Sequence, residues 1–169
     1  MKRLYLILIT LAMPLMVLAQ TVIATVNIDE VFASLPQSEL AQAELNQIND
    51  KLKAEYAAMQ HDLDEKFAAY QQMATATDVP QSIKERRMSE IRQDDRAIGD
   101  FFDRSRRELA EAKQRLETPI YALIEAAVKE IGDKRGYTYV LDVSKTPVAY
   151  RGTGAIDITQ DVIALISRQ

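Results

Sequence analysis

The 169 residues include no cysteine. That excludes disulfides, a cysteine-based zinc site and a thiol nucleophile. There is one histidine, His61, and it lies off the apolar stripe described below, so it reads as an exposed surface residue. No metal cluster and no catalytic constellation can be assembled from the carboxylates. Asp94 and Asp95 are neighbours in sequence, and adjacent helical residues do not face each other. Glycine is scarce, five in all. Gly152-Thr153-Gly154 precedes a helical pattern, yet it lacks the longer glycine fingerprint and the following lysine of a phosphate loop. It reads as a plain strand-to-helix turn. These absences point away from an enzyme, a metal and a cofactor. Positive charge is not in excess either: 21 Lys and Arg stand against 25 Asp and Glu, a net of −4. That argues against nucleic acid as a partner.

Long apolar runs are missing beyond the first twenty residues, MKRLYLILITLAMPLMVLAQ. These read as a secretory signal peptide over residues 1–19, with Lys2 and Arg3 as the positive start and cleavage expected after Ala19. The apolar stretch is about 15 residues, short of the ~20 needed to span a bilayer, and Pro14 interrupts it. The expected destination is the periplasm. Losing Lys2 and Arg3 leaves 19 basic residues against 25 acidic ones, a net of −6. A small exported chain without covalent staples must draw its stability from a real core or from partners.

What is present is a long periodicity. Leu45, Ile48, Leu52, Tyr56, Met59, Leu63, Phe67, Tyr70 and Ala74 follow one another in steps of 3, 4, 4, 3, 4, 4, 3 and 4. That is an 11-residue repeat, about 3.67 residues per turn, close to an undistorted helix. It predicts a long, nearly straight helix that buries one narrow seam. A second stripe returns from about Pro80 through Ile91, Ile98, Phe102, Leu109, Ala112 and Leu116. Two such stripes joined by a short break predict an antiparallel helical hairpin, an arm over residues 36–118 with its tip near 75–79. Ser34 or Ser38 is suited to cap the first helix, and Asp78 with Gln81 has capping-box spacing for the second. Pro119 is expected to kink the return helix where it leaves the arm, and Gly132 or Gly136 to end it.

The rest of the chain, residues 20–35 and 119–169, reads as a β-rich base. TVIATVNI alternates and predicts a strand with Val22, Ala24 and Val26 on one face. YTYVLDV predicts a second strand with Tyr137, Tyr139 and Leu141 together, and Val148–Arg151 a third. Asp157 with Gln160 is placed to cap a last helix. Three short strands leave open edges, and a base this small buries little apolar area. The sheet is therefore expected to be completed by other copies of the chain. The oligomerisation candidates are Val22, Ala24, Val26, Tyr137, Tyr139, Leu141, Val148 and Tyr150.

Some arm residues lie off the seam. Met73 and Met88 sit near the tip, and Phe101 adjoins Phe102, so both rings cannot enter one seam. Methionine suits surfaces that accept varied apolar partners. Arg86 and Arg87 belong to a basic patch near the tip that fits anionic lipid or an acidic partner. Met73, Met88, Phe101, Arg86 and Arg87 are thus the candidate contact residues of the arm, with transient contact at a membrane surface as one use. Gly99 sits mid-helix, roughly abreast of Tyr56, where it either makes room for that ring or softens the arm.

The chain resembles the OmpH-like periplasmic chaperone family over nearly its whole mature length. The resemblance rests on TVIATVNIDEVFASLP, on the charged hairpin, and above all on TPIYALIEAAVKEIGDKRGYTYVLDVS followed by VAYRGTGAIDITQDVIALI. There Pro119, Ile120, Ala126, Gly136, Tyr137, Val140, Leu141, Asp142, Asp157, Ile158, Thr159 and Val162 match the family's characteristic positions. The resemblance implies an α+β fold with a small β-barrel-type body completed by oligomerisation as a homotrimer. The long helical hairpin is then inserted between strand 1 and strands 2–3, and three such arms surround a cavity. It also implies an ATP-independent holdase, without cofactor, that shelters unfolded outer-membrane β-barrel proteins. The best-known members are strongly basic. This mature chain is acidic, so attraction of clients by overall positive charge is not expected here. The alternative is a structural periplasmic coiled-coil spacer or adaptor that recognises one folded partner.

Overall fold

The computed structural model describes residues 21–168; the expected signal peptide lies outside them. The order is β1 (Ile23–Val26), α1 (Ile28–Ser34), α2 (Pro36–Thr75), α3 (Gln81–Arg135), β2 (Tyr139–Asp142), β3 (Ile156–Asp157) and α4 (Thr159–Ile166). The three strands form one open sheet in the order β2-β1-β3, and both pairings are parallel. Ile23 lies beside Tyr139 and Thr25 beside Leu141 on one edge of β1, while Ala24 lies beside Ile156 on the other.

Alternation along β1 sends Ala24 and Val26 inward, where both are buried. They meet Val31 of α1, Ile120, Ile124, Ala127 and Ile131 of α3, and Val162 and Ile166 of α4. This is the core of the base. Truncating a fully buried member such as Ile124 to alanine removes about 2–5 kcal/mol.

The third strand is not where the sequence places it. Val148–Arg151 is irregular and exposed, and the strand is Ile156–Asp157. The reason is topological. Once β2 takes one edge of β1, a further parallel strand must reach the opposite edge. Residues 143–155 are spent on that crossing. Asp157 fastens the arrival, since its Oδ1 accepts from the Thr159 hydroxyl (2.6 Å) and the Thr159 N–H (3.0 Å). The Thr159 hydroxyl in turn accepts from the Asn27 N–H at 2.9 Å.

The caps differ from the expected ones. Asn27 caps α1, accepting from the Glu30 N–H at 3.1 Å. Leu35 precedes α2 without a side-chain cap, with Pro36 in the first turn; the Ser38 hydroxyl turns back to the carbonyls of Phe32 and Leu35. Pro80 precedes α3, so Asp78 and Gln81 form no capping box. The tip is fastened from the other side: Lys84 Nζ donates to the carbonyls of Ala74 (3.0 Å) and Ala76 (2.7 Å), beyond the reach of α2's own ladder. Ile158 precedes α4, and Asp157 acts one residue earlier than a capping box requires. Gly136 ends α3 at φ 67°, a left-handed conformation that favours glycine.

Helix α3 continues as one helix through Pro119. Its first part runs along α2; its last turns, from Ile120, enter the core of the base. Gly99 lies on an exposed face, and a methyl there would meet nothing within 4 Å. It makes no room for Tyr56. Replacing it with alanine should therefore cost no space and gain about 1 kcal/mol of helix propensity. A thermal melt of Gly99→Ala that falls below the parent would refute this.

Two carboxylates hold the ends of the sheet. Burial opposes ionisation of Asp142, but the Ser144 hydroxyl (2.6 Å), the Ser144 N–H (2.9 Å) and the Ile28 N–H (3.4 Å) all donate to it. These bonds hold its carboxyl below the usual range. The Thr159 hydroxyl does the same for Asp157, against burial, with help from Arg151. A carboxyl depressed in the folded state stabilises above the unfolded value of about 3.9. That contribution is lost as the pH falls through this value toward the folded one. Asp142→Asn and Asp157→Asn should each flatten the fall of melting temperature below about pH 5. An acid limb identical to the parent's in both variants would show that neither bond set matters.

Candidate functional site

The arm is α2 packed antiparallel on α3. Arg115 Nη2 lies 3.4 Å from Glu44 near the root, and Lys66 Nζ lies 2.9 Å from Asp94 nearer the tip. Between them the Tyr56 and Phe102 rings stand with centroids 6.1 Å apart. Of the repeating α2 residues, Leu45 is buried, and Ile48, Leu52, Tyr56, Met59, Leu63 and Tyr70 are half-buried. Phe67 is 45% exposed, so it does not sit in the seam. An ideal helix turns about 20° past three full turns in eleven residues. The stripe has thus drifted about 40° by Phe67, and Lys66 reaches across to α3 instead. Its ammonium is paired with Asp62 (2.6 Å) and Asp94, in that order of effect, and its pKa is raised.

On α3 the seam residue is Phe101, at 3% exposure, while Phe102 is 50% exposed. This reverses the expectation for the pair. Ile98, Phe101, Ser105, Leu109, Ala112, Leu116 and Ile120 follow steps of 3, 4, 4, 3, 4 and 4. The same 11-residue repeat therefore runs on both helices. A serine in the seam hid it.

The tip is less basic than its composition suggests. Arg86 (3.2 Å) and Arg87 (2.7 Å) both pair with Glu90. The Arg87 hydrogen bond leads in holding the Glu90 carboxyl below its ordinary value. Lys84 is engaged by the end of α2. Met73 and Met88 are half-buried beside this cluster.

The base carries the other notable surface. Ile23, Tyr139 and Leu141 project from the outward face of the sheet and are exposed, as are Val148 and Tyr150 of the following loop. Tyr139 is 59% exposed and Tyr150 84%. Three large apolar side chains on the outward face of a small open sheet form an unpaired apolar surface. Ala24 and Val26 are not part of it, because the protomer's own core already covers them. Val22 is half-buried, and Tyr137 packs at the edge of the core. Ile23 was missed in the sequence, although alternation places it opposite Ala24. Leu40, at the arm root, is also exposed.

Among the described residues, no group of three or more His, Asp or Glu side chains is placed to hold a metal ion. No described helix is long and apolar enough to cross a membrane.

A small open parallel sheet, backed by helices and extended into a two-helix arm, defines an α+β class with an inserted hairpin. The family model described as Outer membrane protein (OmpH-like) matches residues 22–166, and the chain belongs to that family. It is similar to the chaperone protein Skp of Pectobacterium atrosepticum, with 29% identity over 145 residues, 83% of this chain and 82% of that protein. Its fold is similar to the crystal structure of an OmpH-like protein from Caulobacter crescentus. That match has a TM-score of 0.71 and 18% identity, and covers 89% of this chain and 87% of the other.

Proposed function

We propose that this protein is an ATP-independent holdase chaperone of the periplasm. It binds unfolded outer-membrane β-barrel proteins between its helical arms and keeps them from aggregating. The observation that carries the reading is the likeness to the chaperone Skp, which spans arm and base alike over four-fifths of both chains. The surfaces fit it. The outward sheet face with Ile23, Tyr139 and Leu141 suits contact with other copies of the chain, and completes the open sheet into a barrel-type body. A homotrimer then presents three arms around one cavity. No bond need be made or broken. An unfolded barrel protein exposes aromatic and aliphatic side chains, and many weak contacts inside one enclosure add up to retention by multivalency. Release follows when a better apolar sink competes.

The test is aggregation suppression of several unrelated unfolded barrel proteins by the mature chain, with native mass spectrometry of the same sample. Suppression of all of them by a trimer is expected. Tight binding of a single folded protein, with no general suppression, would favour the spacer or adaptor instead.

A further inference from the structure

Ser105 is the one described side chain whose polar atom is buried without a hydrogen-bond partner. It lies in a groove of about 250 Å³ between the two helices, midway along the arm. Leu52 and Tyr56 of α2 and Phe102 and Leu109 of α3 line the groove. Half of Phe102 is open to it or to solvent. Lys53 and Arg106 are exposed at the rim, and Arg106 lies 6.0 Å from the Phe102 ring centre. Among the described residues no carboxylate lines this groove. The groove nearer the tip is different: Asp62, Glu65 and Glu90 line it together with Lys66 and Arg87, and most of these charges are already paired. The mid-arm groove thus combines apolar walls with an unbalanced positive rim, while the Ser105 oxygen is closed off beneath its surface. Its volume is below that of pockets that enclose a drug-sized ligand, which suits a single side chain.

We propose that the mid-arm groove receives an aromatic side chain of an unfolded polypeptide next to a carboxylate. The proposal rests on the chaperone reading and gives its arm a defined subsite. The ring is buried against Leu52, Tyr56, Phe102 and Leu109. The neighbouring carboxylate meets Lys53 and Arg106 in partly desolvated surroundings, where such pairs gain strength. One groove per arm, repeated in each copy, adds valence without any long sequence motif in the client.

The test uses the full mature protein and N-acetyl-tyrosine as probe, read by NMR on the methyl groups of Leu52 and Leu109. N-acetyl-tyrosine should shift both. It should bind about 3–10-fold more tightly than N-acetyl-tyrosinamide, which lacks the carboxylate. Arg106→Glu, an exposed change, should abolish that difference, and N-acetyl-phenylalanine should bind about as tightly as N-acetyl-tyrosine. Unfolded barrel protein should leave Arg106→Glu about 3–10-fold faster than the parent. Shifts spread evenly along the arm would overturn the proposal. So would stronger binding of decanoate, which would make the groove a lipid site. Parent-like client release from a variant that has lost the probe would overturn it as well. A parent protein that suppresses no aggregation would sink the chaperone reading, whereas the probe titration judges the groove separately.

Discussion

Placing aspartate at Val26 should unfold the base, while placing it at Tyr139 should only take the assembly apart. Val26 is 1% exposed and packed in the protomer's own core. A carboxylate there has no partner among Val31, Ile124 and Val162, and leaving a buried charge unpaired costs about 3–5 kcal/mol. That is a large share of the stability of so small a domain. The thermal transition of Val26→Asp should fall steeply or vanish. Tyr139 points the other way. Its ring is exposed in the single chain, so Tyr139→Asp costs the protomer little by itself. In an assembly closed over that face the same charge is buried, and the oligomer should dissociate into folded monomers. Native mass spectrometry and a thermal melt separate the outcomes. A Tyr139→Asp protein that remains fully oligomeric would move the subunit contact off this sheet face.

The second large effect concerns the arm. Glu44 and Lys66 are 22 residues apart, and their partners Arg115 and Asp94 are 21 apart. The helices advance in step, so equal deletions keep cross-arm partners together. Removing residues 49–70 and 89–110 takes two 11-residue repeats from each helix. It leaves the tip with its Lys84 clasp and leaves the base untouched. The remaining α2 shrinks from about 60 Å to about 27 Å at 1.5 Å per residue. Aggregation suppression should be lost while the oligomer mass falls only by the deleted residues. Full suppression at equal oligomer concentration would place client binding on the base.

The long-range architecture was legible because it rests on repetition. An 11-residue period sustained from Leu45 to Tyr70 has few meanings other than a long helix, and the break before Pro80 marks its end. The end of α3 could be narrowed to Gly132 or Gly136 for the same kind of reason, since a left-handed residue after a helix calls for glycine, and the structure selects Gly136. The failures share a cause too. Val148–Arg151 has the composition of a strand, but strand partners are assigned by topology, and the crossing to the far edge of β1 consumes it. Phe101 and Phe102 are equally apolar, and the polar Ser105 concealed which of them continues the period. The expected N-terminal caps failed because Leu35 and Pro80 stand immediately before α2 and α3, and the Ser38 hydroxyl is spent on the carbonyls of Phe32 and Leu35. Ala24, Val26 and Tyr139 all belong to alternating strands. Alternation sorts residues into two faces without saying which face the protomer covers.

The order of the strands has a consequence for how the chain acquires its structure. β1 stands at the start of the described chain, and both of its partners lie near the end: Ile23 meets Tyr139, and Thr25 meets Asp157. No part of the sheet can close until nearly the whole chain is available. Direct closure over so long a loop is slow, because its entropy is lost before any contact rewards it. The arm changes that search. Its two helices zip from the local turn at residues 76–80, and each paired turn draws the distant segments nearer. When α2 and α3 are paired to the root, most of the intervening chain no longer counts as loop. A substitution that weakens the arm without touching the base should therefore delay the appearance of the sheet more than it lowers the sheet's final stability.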